Sequence, residues 1–430
     1  MTDETSPNKS LKRQLGVFDA TMLGLGSIVG TGAFVSLAIA TGITGPSVIL
    51  ATVLAGLLAF SNALSSAQLA ASHPVSGGTY EYGYRYLNPT IGFGAGWMFL
   101  CAKSASAATA ALGFAGYLLT AFGKDDQWLV SVALITIAII TLIVLGGIRR
   151  SNRVNLIIVS VTLFTLAAFV ISGFSQATEL QEKHLDPFFS NSENSIKTLL
   201  YATALMFVAY TGYGRIATLG EEVFEPRRTI PRAIISTLLV TIVMYTAVAF
   251  VAVSTVGATS FAQSIEQSSA PLQFVAKQLD KPTLVWIITI GAMTAMLGVL
   301  LNLVLGLSRV LLAMGRRGDM PTATARINKD ETTPYVAVVV MGLVIAGLAC
   351  IGDMKQTWEL SAFTVLVYYA TTNLCALRLA PDDQLHSRLF SWIGFLACLG
   401  LSCFLDWKTI AIGASVLFIG LIWQALYSKR

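Results

Sequence analysis

The first long apolar segment of the chain contains the sequence GLGSIVGTGAF at residues 24–34. Four of its first nine residues are glycine, and each glycine disfavours a helix by roughly 1 kcal/mol relative to alanine. The pattern predicts a helix that breaks halfway across a bilayer, where exposed backbone is tolerated only inside the protein or along a cavity. A half-helix starting near Gly30 would direct its N–H groups and positive dipole end at an anion such as a carboxylate. The alternative is a close helix-packing face, because Gly26 and Gly30 have the small-xxx-small spacing.

The composition is that of a membrane protein. Hydrophobic residues make up 55% of the 430 residues, charged residues make up 12%, and the mean hydropathy is +0.70. These values indicate a polytopic membrane protein rather than a soluble domain with a large core. The formal net charge of +5 reflects loop composition and predicts no nucleic-acid partner. The five cysteines lie in apolar runs without metal-ligand spacing, which favours buried free thiols, and no cleavable signal peptide is visible.

Apolar segments long enough to cross a bilayer recur along the chain. They predict an all-α protein, since the runs are continuous rather than alternating as in a barrel. With the N-terminus inside, 18 Lys and Arg residues lie in inner loops and tails and 7 in outer loops, which predicts a cell-membrane protein with both termini in the cytoplasm. The twelve predicted spans cover residues 16–42, 47–71, 91–120, 128–147, 154–174, 197–219, 232–256, 284–313, 335–352, 359–379, 388–405 and 408–427.

A second glycine-containing stretch, FVAYTGYGRI at residues 207–216, lies in the sixth predicted span. Its two closely spaced glycines again weaken a helix at mid-membrane. This break starts a second set of five spans, as the first break starts the first set. Corresponding interruptions in two halves are typical of an inverted-repeat transporter with a substrate site near the midplane. The correspondence favours broken helices over close packing.

Four motifs in order resemble the amino acid–polyamine–organocation superfamily of permeases. They are GSIVGTGAF at residues 26–34, PVSGGTY at 74–80, AYTGY at 209–213 with EEV and PRRTIPRA at 221–233, and SRVLLAM at 308–314 before Gly318 and Pro321. The resemblance covers residues 15–379 and implies a leucine-transporter-type fold, with five plus five helices in an inverted repeat and helices 1 and 6 broken. The implied organisation is a cytoplasmic tail at 1–14, a transport core at 15–380 (repeats of about 15–174 and 197–380) and two further helices at 388–427.

The resemblance also implies a site for a free amino acid between spans one, six, three and eight. By position, the α-carboxylate ligands would be Ser27, Thr31 and the Gly32 backbone N–H, and the α-ammonium ligands would be the carbonyls of Ile28, Val208 and Thr211. This agrees with half-helix N-termini for the anion and unwound carbonyls for the cation. The other candidates in the breaks are Gly30, Gly212 and Gly214, with Tyr210 and Tyr213 as gate or pocket-wall candidates or ordinary packed aromatics.

No carboxylate is predicted at mid-span. A cationic substrate side chain would therefore lack a partner, and neutral amino acids are the expected substrates. The acidic residues nearest to the spans are Asp19, Glu221, Glu222, Glu359 and Asp406.

Two cations in or beside the spans require an explanation. Lys103 lies about twelve residues into span three, roughly 18 Å along the helix and near the midplane. Desolvation disfavours its charged form, which makes it a candidate proton carrier. The alternatives are a contact with an acidic substrate, bonds to backbone carbonyls, or extension into an aqueous vestibule. Arg215 cannot lose its proton, so it would pair with Glu221 or Glu222 or lie near an anionic substrate.

Proton coupling or exchange is expected rather than sodium coupling, and no cofactor is expected. Sodium-coupled proteins of this fold commonly place the ion between span-one carbonyls and span-eight hydroxyls, and this span eight offers only Asn302. Some proton-coupled relatives carry a lysine in span five where this chain has Thr162, which makes Lys103 the candidate replacement. The run at 221–232 would be an inner gate, with Glu221 and Glu222 closing against the N-terminal Lys12, Arg13 and Asp19, or a solvated loop.

The alternatives to a secondary transporter for neutral amino acids are a channel, an enzyme, an amino acid sensor and an acidic amino acid transporter. Nothing resembles the repeated filter or charged ring of a channel. With three histidines, His73, His184 and His386, nothing resembles the metal or acid–base cluster of an enzyme. An amino acid sensor would keep the same site, and an acidic amino acid transporter would use Lys103 and Arg215. The sequence leaves the substrate side chain and the oligomeric state open.

Overall fold

The chain folds into helices joined by short loops. The computed structural model describes residues 15–73, 77–146, 152–189, 194–217, 223–328 and 333–427. Over these ranges the α-helices are α1 (Val17–Ile28), α2 (Leu37–Thr44), α3 (Val48–Ser72), α4 (Thr79–Tyr86), α5 (Pro89–Ala121), α6 (Leu129–Leu145), α7 (Asn152–His184), α8 (Ser195–Tyr210), α9 (Gly214–Ala217), α10 (Pro226–Val256), α11 (Ala258–Ser268), α12 (Pro271–Gln278), α13 (Pro282–Arg317), α14 (Tyr335–Ala349), α15 (Met354–Leu377), α16 (Arg388–Ser402) and α17 (Trp407–Tyr427).

Helix occurs in each of the twelve segments predicted as spans. Within the described ranges, eight helical stretches are long and apolar enough to cross a membrane, whereas α1, α14 and α16 are shorter apolar helices. The described ranges are therefore those of a helical polytopic membrane protein, and the number of twelve spans stays a prediction.

The outer faces of several helices expose large apolar side chains. Leu142 on α6 and Ile171 on α7 are 67% and 77% exposed, and Leu343 on α14 and Leu426 on α17 are similarly open. A soluble monomer rarely exposes so many large apolar side chains, but a bilayer would cover them. These faces are the surface expected to contact lipid.

Two short helices, α11 and α12, lie between the seventh and eighth predicted spans, where the sequence analysis had assigned only a loop. Gly257 ends α10 with a φ of +79°, a conformation that glycine adopts without strain. Pro271 and Pro282 begin α12 and α13, where a missing N–H costs no intrahelical bond. The glycine and the two prolines that bound these helices are recognisable in the sequence, but the two helices themselves were not predicted.

The first predicted break is present in the structure. α1 ends at Ile28, and Val29 is extended with φ −78° and ψ 106°. The chain then resumes as a π-helix, Gly32–Ser36, which runs directly into α2. Single-turn π segments are rare and occur often at functional sites. Three residues of the interruption, Ile28, Thr31 and Gly32, line a small pocket described below.

The second interruption is milder than the first. α8 ends at Tyr210, a 3₁₀ turn covers Thr211–Tyr213, and α9 begins at Gly214. The chain changes helix type here without an extended gap. Residues 218–222, which follow α9, lie outside the described ranges.

The long helix α5 lies at the centre and packs against α13 and α15. Its middle carries the sequence AKSASAATAA at residues 102–111, and all ten residues are buried. Small residues let neighbouring helices approach closely. The single long polar side chain in this run belongs to Lys103, which faces the two breaks.

Candidate functional site

The two breaks contact each other directly. A Cβ atom on Gly212 would overlap the backbone carbonyl of Ser27, so only glycine fits at this position without moving the backbone. A Cβ on Gly32 would lie 2.7 Å from the Cβ of Ala209 on α8. The glycines of the two stretches therefore serve both interpretations from the sequence, because they interrupt the helices and also let the two halves pack closely.

A large cavity extends from the breaks toward α4. Its volume is about 840 Å³, and α4 and the end of α13 border its far end with the partly exposed Glu81 and Arg317. The predicted site residues that line it are Ser27, Lys103, Thr211, Gly212, Gly214, Arg215 and Asn302.

A second, much smaller pocket lies between the breaks and α5. Its volume is about 30 Å³, which is room for one or two water molecules and far less than an amino acid requires. All six predicted carboxylate and ammonium ligands line it, together with Lys103 and Gly212. Residues that the sequence analysis did not single out also line it: Ser106, Ala209, Val299, Leu303 and Trp358.

The predicted carboxylate side contains a buried hydroxyl without a partner. Thr31 is 3% exposed, and its Oγ1 makes no hydrogen bond to any described residue. The hydroxyl of Ser27 instead donates to the carbonyl of Leu23 at 3.0 Å, within its own helix. Because buried polar groups in proteins are nearly always satisfied, an orphaned hydroxyl facing a pocket is a candidate ligand group.

The predicted ammonium side is already occupied by protein donors. The Tyr245 hydroxyl donates to the Ile28 carbonyl at 3.0 Å, and the Tyr369 hydroxyl donates to the Thr211 carbonyl at 3.1 Å. The Thr211 hydroxyl donates to the Val208 carbonyl at 2.8 Å. Neither tyrosine is predicted from the sequence. The available signal was a tyrosine in a buried apolar helix, whose hydroxyl requires a partner.

Lys103 connects α5 to the second break. It is 8% exposed, and its Nζ donates to Thr211 Oγ1 at 2.8 Å. Among the described residues, no carboxylate lies within 4.0 Å of this ammonium. The hydroxyl partner differs from the backbone carbonyls considered in the sequence analysis.

Of the other two ion-coupling candidates, one lines the large cavity and the other hydrogen-bonds within its own helix. Asn302 lines the large cavity, and its Nδ2 donates to the carbonyl of Gly26 at 3.3 Å. Thr162 donates to the carbonyl of Ile158 at 2.7 Å in its own helix and lines neither cavity.

Gly30, a candidate in the first break, lies against Val299 of α13, where an added Cβ would approach the valine Cγ2 to 2.6 Å.

The gate candidates are packed aromatics where the structure describes them. Tyr210 and Tyr213 are fully buried and line neither cavity. The Tyr210 hydroxyl donates to the carbonyl of Thr52 at 3.0 Å, and the Tyr213 ring lies 5.4 Å from that of Tyr369. The predicted gate residues Glu221 and Glu222, and Lys12 and Arg13, lie outside the described residues. Asp19 is described, and it accepts a bond from the backbone N–H of Gly16 at 3.2 Å.

A polar cluster joins α4 to the end of α13. Asp319 accepts hydrogen bonds from Tyr80 at 2.6 Å and Tyr84 at 2.7 Å. Arg317 pairs with Glu81 and lies 4.1 Å from the ring centroid of Tyr84. Burial and the bond to Asp319 raise the pKa of Tyr84 above its ordinary value, so it stays a donor at neutral pH. We call these five residues the α4 cluster.

The sequence is similar to those of known transporters. The sequence model of the amino acid permease family matches residues 19–429. An uncharacterized transporter of Mycobacterium tuberculosis is 37% identical over 420 residues, which cover 98% of this chain and 92% of the relative. A branched-chain amino acid permease of Bacillus subtilis is 29% identical over 452 residues (99% and 95%), and the methylthioribose transporter of that organism is 30% identical over 385 residues (84% and 81%). The resemblance to the permease superfamily is confirmed, and this multi-pass membrane protein belongs to the amino acid permease family of transporters.

Proposed function

We propose that this protein is a secondary transporter that carries neutral amino acids across the cell membrane by alternating access. The observation that carries the proposal is the small pocket, where both breaks meet around the buried, unpartnered hydroxyl of Thr31. The proposal includes twelve spans, a five-plus-five inverted repeat with helices 1 and 6 broken, and cytoplasmic termini. It is supported by helix in all twelve predicted segments and by the paired interruptions.

In the proposed site, the substrate carboxylate lies at the start of the resumed first helix. Thr31 Oγ1 and the Gly32 N–H would bind it, with help from Ser27 after its hydroxyl leaves the Leu23 carbonyl. The positive end of a helix and unsatisfied N–H groups favour an anion there. The α-ammonium lies toward Thr211 in the second break.

A neutral side chain fits the charges that surround the site. Lys103, Arg215 and Arg309 line the large cavity, whereas the one carboxylate among the described lining residues is that of Glu81, which pairs with Arg317. A cationic side chain would meet repulsion in this cavity. The branched-chain permease among the relatives is consistent with an apolar side chain.

An acidic amino acid is the second candidate substrate. The excess of cations in the cavity and the absence of a described carboxylate near Lys103 favour it. A second carboxylate on the substrate would give the Lys103 ammonium an ion-pair partner. Uptake of glutamate and aspartate in preference to leucine would support this candidate over the neutral one.

For the coupling ion, we propose a proton or simple exchange. Lys103 is a buried basic side chain that hydrogen-bonds to Thr211 in the second break. Asn302 presents its amide nitrogen to Gly26, whereas a sodium site needs oxygen ligands. Uptake into liposomes with an imposed proton gradient, and with sodium replaced by choline, tests the coupling directly.

The experiment for the binding site is Thr31→Val. The change removes an unpartnered hydroxyl, so thermal stability should be unchanged or higher. Loss of a hydrogen bond to a charged group costs about 1.5–3 kcal/mol, so the affinity for leucine should fall roughly 10- to 150-fold.

The matched control is Thr41→Val. Thr41 is equally buried, but its hydroxyl donates to the Leu37 carbonyl within α2 and lines neither cavity. Leucine binding to the purified protein and uptake into liposomes should be unaffected by this change. Unaltered leucine affinity in Thr31→Val would contradict the proposed carboxylate site.

A further inference from the structure

The large cavity and the small pocket are separated by a shared boundary. Thr31 and Gly32 line only the small pocket, and Arg215 and Asn302 line only the large cavity. A substrate that reaches Thr31 from the large cavity must therefore cross this boundary. The residues common to both linings are Ser27, Lys103, Thr211, Gly212, Val299 and Leu303.

Within this boundary, Lys103 has the only long, flexible side chain. Its ammonium crosses from α5 to Thr211 Oγ1 at 2.8 Å, and the proton of that hydroxyl is already donated to Val208. The hydroxyl therefore serves Lys103 as an acceptor. The other boundary members are small, apolar or part of the backbone contact between the breaks.

The Lys103 ammonium lies at the second break, toward which the proposed function directs the substrate ammonium. The nearby carbonyls of Ile28 and Thr211 each already accept one bond from a tyrosine, and Lys103 donates to the Thr211 hydroxyl. Two ammonium groups cannot share one hydroxyl in a site of low dielectric, because their repulsion is weakly screened.

We propose that Lys103 occupies the ammonium position of the substrate site, so that the ammonium of an incoming amino acid must displace it from Thr211. The inference rests on the proposed function and adds to it a specificity-determining residue. The resting lysine closes the passage to Thr31. Displacement moves the Lys103 ammonium away from Thr211 and admits the substrate.

The inference predicts that removal of the lysine charge strengthens the binding of amino acids in particular. Leucine and its des-amino analogue 4-methylpentanoate share a carboxylate and a side chain, and only leucine has an ammonium. Lys103→Met keeps the length of the side chain and removes its charge. We expect Lys103→Met to bind leucine at least tenfold more tightly than the unchanged protein, and 4-methylpentanoate no more tightly.

Lys277→Met on α12 is the control, because Lys277 is exposed and lines neither cavity. It should leave both affinities unchanged. Weaker binding of leucine and of 4-methylpentanoate by Lys103→Met would overturn the inference, since it would make Lys103 a ligand of the carboxylate. Equal leucine affinity in Lys103→Met and the unchanged protein would overturn it as well.

A measurement without an amino acid separates this inference from the proposed function. In Thr31→Cys protein, the rate at which methyl methanethiosulfonate, a small neutral thiol reagent, labels residue 31 reports on the passage. Peptide mass spectrometry distinguishes this residue from the five native cysteines. We expect labelling at least tenfold faster when Lys103→Ala is added, and an unchanged rate would overturn the inference. If the unchanged protein binds no amino acid, the proposed function fails and the labelling rate alone decides the inference.

Discussion

Gly32→Ala tests whether close contact between the two breaks is required for transport. Gly32 begins the π-helix and faces α8, and its added Cβ would lie 2.7 Å from the Ala209 Cβ and 2.9 Å from the Tyr245 hydroxyl. An ordinary contact begins near 3.4 Å, so the segments must separate by about 0.7 Å. Overpacking of this kind costs about 1–3 kcal/mol. If the strain falls on the substrate-bound state, apparent affinity drops roughly 5- to 150-fold.

The assay is uptake of labelled leucine by purified protein in liposomes, combined with thermal unfolding in detergent. The matched control is Gly42→Ala in the continuing helix α2, where the added Cβ would meet the Ala262 Cβ at an ordinary 3.5 Å. Gly42→Ala should transport normally, because alanine is favoured in a helix. If Gly32→Ala takes up leucine with the same apparent affinity as Gly42→Ala, the reasoning about the contact between the breaks is refuted.

Two further predictions concern sites away from the breaks. Glu359 is buried and accepts a hydrogen bond from Thr409 at 3.1 Å, so Glu359→Gln should destabilise the protein by about 1–3 kcal/mol in thermal unfolding. The control is Lys355→Gln, which changes an exposed ion-pair partner 4.0 Å from Glu359 and should have little effect. Equal losses of stability in the two variants would contradict this prediction. Partial burial and, to a smaller extent, the charge of Arg85 lower the pKa of His73 in the folded protein. The unfolded protein therefore binds a proton at His73 more readily, and the stability of the fold should fall as the pH drops below about 6.5. His73→Gln should flatten this decline in melting temperature between pH 7 and pH 5.5, and an unchanged slope would argue against a contribution from His73.

The sequence predicted the interrupted helices well because their cause is local. Glycine spacing at residues 24–32 and 212–214 weakens helix wherever those residues lie, and the structure interrupts the helices at Ile28 and Tyr210. The form of each interruption depends on neighbours. The first is an extended residue followed by a π-helix, and the second is a 3₁₀ turn packed on the Ser27 carbonyl.

The partners of the site could not be predicted from the sequence in the same way. Tyr245 and Tyr369 lie on α10 and α15, and nothing local in these helices indicates that their hydroxyls reach the carbonyls of Ile28 and Thr211. Lys103 was recognisable as an unusual charge, but its contact with Thr211 joins residues 108 positions apart. Such pairings arise from the packing of whole helices, which one sequence does not specify.

The α4 cluster ties one end of the large cavity to three helices. Two tyrosine hydrogen bonds and an ion pair join α4 to the end of α13, and the Asp319 carbonyl accepts a bond from Trp423 on α17 at 3.2 Å. Local opening free energies follow the density of such contacts, so hydrogen exchange should be slow in α4. Widening of the cavity at this end therefore requires α4, the end of α13 and α17 to move together.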